Sequence, residues 1–268
     1  MFGKVAVLII HGIGAQKENF ADETIKEINY WIINQDKDPK DIIWRSVYWA
    51  DVLGPRQIKF MDDIIAEKNN DIDFIKLRRL IVSTLGDAAA YHNISGKGSV
   101  TYDLIHARIT AHIKELYDNQ LNQVPCPLII MAHSFGGHIM SNHLWDCQKD
   151  DLLEVSDFEK MKYTAGIITF GCNIPLFTLT HVNLKPVEFP GINLTHTQKM
   201  NAKWLNFYDP DDVFGYPLKQ LGKHYEFVED ININVGGVLT SWNPMSHNGY
   251  WTDKDFTRSA ANLLAQFI

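Results

Sequence analysis

The sequence predicts an α/β protein with a doubly wound, mostly parallel sheet. Three observations lead to this fold class. Short, wholly apolar runs at 5–10 and 128–132 are typical of strands buried on both faces of a sheet. These runs lead into turns that contain glycine. Segments with helical periodicity alternate with the strand candidates along the chain, which indicates parallel strands joined by helical crossovers.

The N-terminal part begins with the predicted strand Val5–Ile10, which leads directly into the turn His11-Gly12-Ile13-Gly14. Apolar residues at helical spacing predict an amphipathic helix over Glu18–Asn34. The alternation of apolar residues in Asp41–Trp49 predicts the second strand. We therefore expect a β-α-β unit at the start of the chain.

Residues 51–98 form an unusually long connection. They contain a charged segment around 62–68, an apolar helical segment near 74–85 and a glycine-rich loop at 95–99. A crossover between parallel strands needs about a dozen residues. We expect part of this stretch to be a helical cap inserted over the active site of one 268-residue domain. A long ordinary crossover is the alternative.

The rest of the chain continues the alternation of strands and helices. The predicted elements are a helix over Val100–Asn119, a strand that begins at Leu128, a helix over Phe135–Lys149, strands at Thr164–Gly171 and Trp204–Tyr208, and a closing helix over Asp255–Ile268.

Ser134 is the candidate nucleophile. It directly follows a buried strand and is flanked, two residues away on either side, by Ala132 and Gly136. Small residues there allow a sharp turn from strand to helix that presents the serine side chain at its tip. The backbone N–H of Phe135 and the positive end of the following helix then lie near any anion formed at the serine. The alternative is a structural serine in a strand-to-helix turn.

The turn 11–14 is the second candidate element of a site. Its glycines allow the backbone to approach a substrate closely and to direct an N–H group at it. A phosphate-binding loop is excluded, because no Gly-Lys-Ser/Thr follows Gly14.

A serine hydroxyl needs a base, usually histidine, that is oriented by a carboxylate. Three carboxylates, Asp209, Asp211 and Asp212, crowd the turn after the strand at 204–208. A solvated acidic turn without a catalytic member is the alternative, and the run lacks the spacing of a calcium-binding loop. His247 lies in a loop of turn-forming residues before the last helix and is the last histidine in the chain.

The other histidines are expected to be packed or surface residues. We expect His133 to point away from its neighbour Ser134, and His11 to support its own turn. The remaining ones are His92, His106, His112, His138, His143, His181, His196 and His224. No set of His, Cys and Asp residues has convincing zinc spacing, so no metal site is predicted.

With these residues the chain resembles the serine lipases and esterases of the α/β-hydrolase superfamily, over most of its length. The resemblance rests on Ala-His-Ser-Phe-Gly at 132–136, His-Gly-Ile at 11–13, the acidic turn followed by Tyr-Pro-Leu at 216–218, and His-x-x-Tyr-Trp at 247–251. It implies a Ser134, Asp212 and His247 triad, with Asp211 the second choice of acid and Asp209 shaping the turn. It also implies oxyanion-hole N–H groups from Ile13 and Phe135, and no cofactor. Ala132 departs from the usual glycine.

The predicted activity is hydrolysis of a carboxylic ester with a small or lipid-like acyl group. An amidase, a thioesterase or an acyltransferase would use the same triad, and a catalytically silent binding protein is the alternative outside enzymes. The serine excludes a dehalogenase of the usual type, which has aspartate at this place.

Composition limits the partners and the location. The formal charge of −7, with no cluster of basic residues, argues against nucleic acid and anionic membranes as obligate partners. Three widely spaced cysteines, with no Cys-x-x-Cys pair, indicate reduced thiols. The apolar run 5–10 is too short for a signal-peptide core or a membrane span. We expect a cytoplasmic protein without stable membrane insertion, and the sequence leaves its oligomeric state open.

Overall fold

A six-stranded, all-parallel sheet forms the centre of the computed structural model, which describes residues 3–14, 16–66, 75, 82, 86–91, 99–149, 154–178, 187–235 and 246–268. The strands lie in the order β2-β1-β3-β4-β5-β6. Their bounds are β1 Val5–Ile10, β2 Ile42–Val47, β3 Leu128–His133, β4 Thr164–Phe170, β5 Lys203–Tyr208 and β6 Val228–Asn232.

The helices lie between and after the strands. Their bounds are α1 Asp22–Ile33, α2 Gly54–Ala66, α3 Val100–Glu115, α4 Phe135–Lys149, α5 Ile174–Thr178, α6 His196–Asn201 and α7 Lys254–Leu264. Residues 86–91 are also helical, and a 3-10 helix spans Ser246–Thr252. Among the described residues, no helix has both the length and the apolar character needed to cross a bilayer.

The sheet is covered on both faces, which explains why its central strands are apolar throughout. Val5, Val7 and Ile9 of β1 belong to one core, together with residues of α1 and α7. Ala6, Leu8 and Ile10 of the same strand belong to the other, together with residues of α3 and α4. Because successive side chains of a strand point to opposite faces, a strand buried on both sides needs an apolar residue at every position. The predicted α/β class with a parallel sheet is confirmed.

The strand order places a topological switch point at the carboxyl ends of β1 and β3. Connections run in opposite directions from β1 and β3, which are neighbours in the sheet, with Ile10 paired to Ala132. In open α/β sheets, ligands bind outside the carboxyl ends of the strands at such a switch point. The turn 11–14 directly follows β1 at this point, and Ser134 directly follows β3.

Most predicted elements are present, with bounds shifted by a few residues. The edge strand β6 was not predicted, because only its first residue is buried and its sequence shows no apolar alternation. The short helices α5 and α6 were not predicted either. The predicted apolar helix near 74–85 lies outside the described residues, except for 75 and 82, which are helical. Residues 95–98 of the predicted glycine-rich loop lie outside them too. Its last residue, Ser99, is described and caps the N-terminus of α3.

Candidate active site

Ser134 occupies a strained turn between β3 and α4. Its φ is +53°, in a region that residues other than glycine seldom adopt. Its backbone N–H donates to the carbonyl of Phe170 at 2.9 Å, and its side chain is buried. Such strain persists only where the surrounding structure enforces it, and it is frequent at active sites.

The turn after β1 lies directly against this serine. A Cβ added to Gly12 would come within 2.6 Å of the Ser134 Cβ. A Cβ added to Gly136, in the first turn of α4, would come within 2.6 Å of the His11 carbonyl oxygen. Real side chains do not tolerate such distances, so the two segments approach this closely because both positions are glycine.

Ser134, His247 and Asp212 are joined by two hydrogen bonds. The Ser134 Oγ lies 2.7 Å from Nε2 of His247, and Nδ1 of the same ring lies 2.8 Å from Oδ2 of Asp212. A carboxylate accepts, so Nδ1 carries the proton and Nε2 is left to accept from the serine hydroxyl. The His247 side chain is 14% exposed and that of Asp212 is 1% exposed. The arrangement can remove a proton from the serine and stabilise the resulting charge on the ring.

Asp212 is held ionised by its hydrogen bonds. Burial by itself raises the pKa of this carboxyl, but the hydrogen bond and charge interaction with His247 lower it, as do hydrogen bonds from the Phe214 N–H and the Tyr250 hydroxyl. The pKa of Asp212 is therefore below its usual value. The N–H of Phe214 donates to Oδ1 at 3.0 Å and the hydroxyl of Tyr250 to Oδ2 at 3.0 Å.

The other two carboxylates of the turn have different positions. Asp209 is buried and accepts backbone N–H groups from Asp211 at 2.8 Å and from Val235 at 2.6 Å, so it shapes the turn. Asp211 is exposed to solvent. Of the three carboxylates, Asp212 is the one whose side chain contacts His247.

His133 does not form a hydrogen bond with Ser134. It contacts the loop that carries His247. Its Nε2 lies 2.8 Å from the backbone carbonyl of His247, and since a carbonyl only accepts, Nε2 carries the proton. Nδ1 is buried and has no hydrogen-bond partner within the described part of the chain. Burial holds the pKa of His133 well below its usual value, so the ring is neutral.

His11 fixes the peptide that contains the Ile13 N–H. Its Nδ1 donates to the Gly12 carbonyl at 2.6 Å, and its Nε2 accepts from the Trp49 N–H at 3.0 Å, which defines one neutral tautomer. Burial lowers the pKa of His11 to about 4. In a trans peptide the N–H points away from the carbonyl. Because His11 holds the Gly12 carbonyl, the Ile13 N–H points away from the His11 ring.

Phe135 begins α4, so its backbone N–H points out of the helix N-terminus. The two residues expected to form an oxyanion hole, Ile13 and Phe135, thus follow the two strands at the switch point.

The end of β4 and the residues after it contribute apolar side chains to the core. Phe170 and Ile174 are fully buried, and Phe170 packs on Phe256 with ring centroids 4.4 Å apart. Packing therefore explains these two side chains. Phe214, by contrast, has its ring 5.3 Å from that of His247, and its neighbour Val213 is 67% exposed.

Tyr250 is the residue at the site for which sequence reasoning gave no role. Its hydroxyl donates to Asp212 and accepts from the Asp209 N–H at 2.8 Å, so it joins the acid to its turn. The signal was present in the His-x-x-Tyr spacing, since three residues along a 3-10 helix place two side chains on one side.

Within the described residues, no three His, Cys, Asp or Glu side chains group as they would around a metal ion.

In comparisons with known proteins, no family profile matches this chain, and no curated protein matches it. The fold and the site geometry are therefore the basis for a functional proposal.

Proposed function

We propose that this protein is a serine hydrolase that cleaves a carboxylic ester through an acyl-enzyme. The observation that carries the proposal is the pair of hydrogen bonds that joins Ser134 to His247 at 2.7 Å and His247 to Asp212 at 2.8 Å. The order serine, acid, histidine along the chain and the strained turn at Ser134 support it. Membership of the α/β-hydrolase superfamily is part of the same proposal.

In the first step, Nε2 of His247 takes the proton of Ser134 as the serine oxygen bonds to the ester carbonyl carbon. The carbonyl oxygen becomes an oxyanion, which the N–H groups of Ile13 and Phe135 stabilise. The protonated ring then gives its proton to the leaving oxygen, the carbon–oxygen bond breaks, and the alcohol departs. Asp212 stabilises the positive ring throughout.

In the second step, His247 takes a proton from water as the water oxygen attacks the acyl carbon. A second oxyanion forms in the same place. The bond to the Ser134 oxygen then breaks, that oxygen recovers the proton from His247, and the carboxylic acid is released. These residues complete the cycle without a cofactor.

The surroundings of the base favour an apolar substrate group. Phe214 lies beside the His247 ring, and the exposed Val213 precedes it on the same turn. We propose a small or lipid-like acyl ester as the substrate. Cys126, Cys147 and Cys172 are free thiols, which supports a cytoplasmic location.

A panel of p-nitrophenyl esters of increasing chain length tests the proposal. We expect turnover by the protein and a loss of several orders of magnitude in kcat for Ser134→Ala. Ser141→Ala, a matched serine substitution within α4, serves as the control and retains activity. No turnover of any ester would contradict the proposed ester hydrolysis. Amides, thioesters and acyl transfer would then be tested as alternatives. Failure on all of these would favour a silent binding protein.

A further inference from the structure

The stretch between β2 and α3 contacts the turn that carries the Ile13 N–H. Asp87, in the helical residues 86–91, accepts the backbone N–H of Gly14 on Oδ2 at 3.1 Å. The two residues are 73 positions apart in the chain. This carboxylate therefore ties the turn after β1 to an element that does not belong to the sheet.

The same carboxylate also binds α2, the other described helix of this stretch. Gln57 of α2 donates from Nε2 to Oδ1 of Asp87 at 2.7 Å. The contact is close, since a Cβ added to Gly86 would lie 3.1 Å from that amide nitrogen. Asp87 is 4% exposed, so water competes little for its two oxygens. Burial raises the pKa of this carboxyl, and the hydrogen bonds from Gly14 and Gln57 oppose that rise. Both oxygens accept, and in the carboxylate form they make stronger hydrogen bonds than a neutral acceptor.

The second oxyanion residue is contacted by the same helical segment. The Tyr91 ring meets the Phe135 ring edge to face, with centroids 5.2 Å apart. The Tyr91 hydroxyl is fixed in turn by the Asn142 amide at 3.1 Å and lies 2.8 Å from Nε2 of His106. One turn of helix, from Asp87 to Tyr91, thus contacts Gly14, the residue after Ile13, and the ring of Phe135.

The peptides on both sides of Ile13 are held from different directions. The His11 ring, just after β1, donates to the Gly12 carbonyl, and Asp87, in the helical residues 86–91, accepts from the Gly14 N–H. The Ile13 N–H lies between these two anchors. His11 holds the peptide that contains this N–H, and Asp87 holds the next peptide, Ile13–Gly14. Losing the Asp87 anchor frees that second peptide, so the backbone at Ile13 can rotate and its N–H is directed less firmly.

We propose that Asp87 is a positioning residue for the oxyanion hole, through which α2 and the helical residues 86–91 hold the Ile13 N–H at the place where negative charge develops. The proposal rests on the proposed function. Its consequence is that the stretch between β2 and α3 takes part in turnover without touching the reacting atoms. Preorganised N–H donors gain their effect from being fixed before the charge forms, so loosening one lowers kcat rather than raising KM.

The test compares three variants. Asp87→Ala removes the acceptor, while Asp87→Asn retains it, because the Gln57 amide can turn to accept from the new side chain. Gln57→Ala weakens the same contact from α2, so the test remains decisive even when Asp87→Ala does not fold. Lys59→Ala, which removes an exposed ion pair with Asp63 on α2, is the matched control.

Two readouts separate this inference from the proposed function. Hydrogen exchange of peptides covering Gly14 is expected to accelerate about tenfold in Asp87→Ala, less in Gln57→Ala, and little in Asp87→Asn or Lys59→Ala. On a p-nitrophenyl ester, kcat is expected to fall about tenfold or more in Asp87→Ala with KM nearly unchanged, and to recover in Asp87→Asn.

Unchanged exchange at Gly14 in both Asp87→Ala and Gln57→Ala would overturn the inference. Faster exchange with an unchanged kcat would overturn its catalytic part. A wild-type protein that cleaves no ester overturns the proposed function, whereas the exchange rates still decide whether Asp87 holds the turn.

Discussion

The ring of His133 donates a hydrogen bond to the backbone carbonyl of His247 at 2.8 Å. The residue next to the candidate nucleophile therefore holds the loop that carries the candidate base. The two rings also lie against each other, with centroids 4.8 Å apart. The spacing between Ser134 and His247 thus depends on a contact that a serine-centred motif does not reveal.

Replacing His133 with leucine should lower activity without removing any member of the triad. The His247 carbonyl loses its donor, which costs about 1–3 kcal/mol when the group stays buried. We expect kcat to fall about tenfold, equivalent to about 1.4 kcal/mol. Glutamine, whose amide N–H reaches about as far as Nε2, should restore most of it. Steady-state kinetics on a p-nitrophenyl ester measure both, and a leucine variant with wild-type kcat would refute the role of this bond.

The identity of the acid is tested by exchanging two neighbouring aspartates separately for asparagine. Asp212→Asn should lower kcat by about 10³–10⁴, since the amide no longer holds His247 in the productive tautomer. Asp211→Asn should leave kcat within about twofold, because exposed substitutions away from the site have small effects. Loss of activity in the Asp211 variant alone would show that the wrong carboxylate was assigned.

Tyr250→Phe should position Asp212 less firmly and destabilise the turn that carries it. The variant loses the bond to Asp212 and leaves the buried Asp209 N–H without its acceptor, at a cost of about 1–3 kcal/mol in the free energy of unfolding. We expect kcat to fall about tenfold as well. Urea unfolding and ester kinetics measure the two effects.

Tyr216→Phe is the matched control for Tyr250→Phe. Its hydroxyl donates to the Val213 carbonyl at 2.8 Å on the same turn and does not contact Asp212. Equal kcat values for the two variants would show that the Tyr250 hydroxyl acts on the turn in general and not on the acid.

The sequence predicted the central strands well, because a strand buried on both faces must be apolar at nearly every position. It failed at β6, where one face of an edge strand meets solvent and Asp230 accepts the N–H groups of Leu218 and Lys219. Residues in contact through the fold, such as Gly14 and Asp87, left no signal at all. Their contact depends on how the helices between β2 and α3 pack, and no local spacing encodes it.

Buried histidines should make the fold sensitive to mild acid. Burial lowers the pKa to about 4 for His11 and His143, to about 3 for His106, and well below its usual value for His133. Histidine in the unfolded chain titrates near pH 6.5. As the pH falls below about 6.5, the unfolded state binds protons that the folded state does not, and the free energy of unfolding decreases by up to about 1.4 kcal/mol per pH unit for each such histidine.

Urea unfolding at pH values from 7.5 to 5 measures this slope. His143 lies outside the proposed site, and its ring contacts the Cys147 thiol at 3.4 Å. His143→Gln should reduce the slope of unfolding free energy against pH by the contribution of one histidine. Stability that stays constant from pH 7 to 5, or rises on acidification, would contradict the neutral state of these rings.

Labelling with a fluorophosphonate, followed by mass spectrometry of the modified peptide, tests most directly whether Ser134 is a nucleophile that His247 activates. The geometry predicts a single adduct on the Ser134 oxygen, abolished in Ser134→Ala, strongly slowed in His247→Ala and retained in Asp211→Asn. No adduct on Ser134, or an adduct that forms equally fast in His247→Ala, would contradict the proposed mechanism.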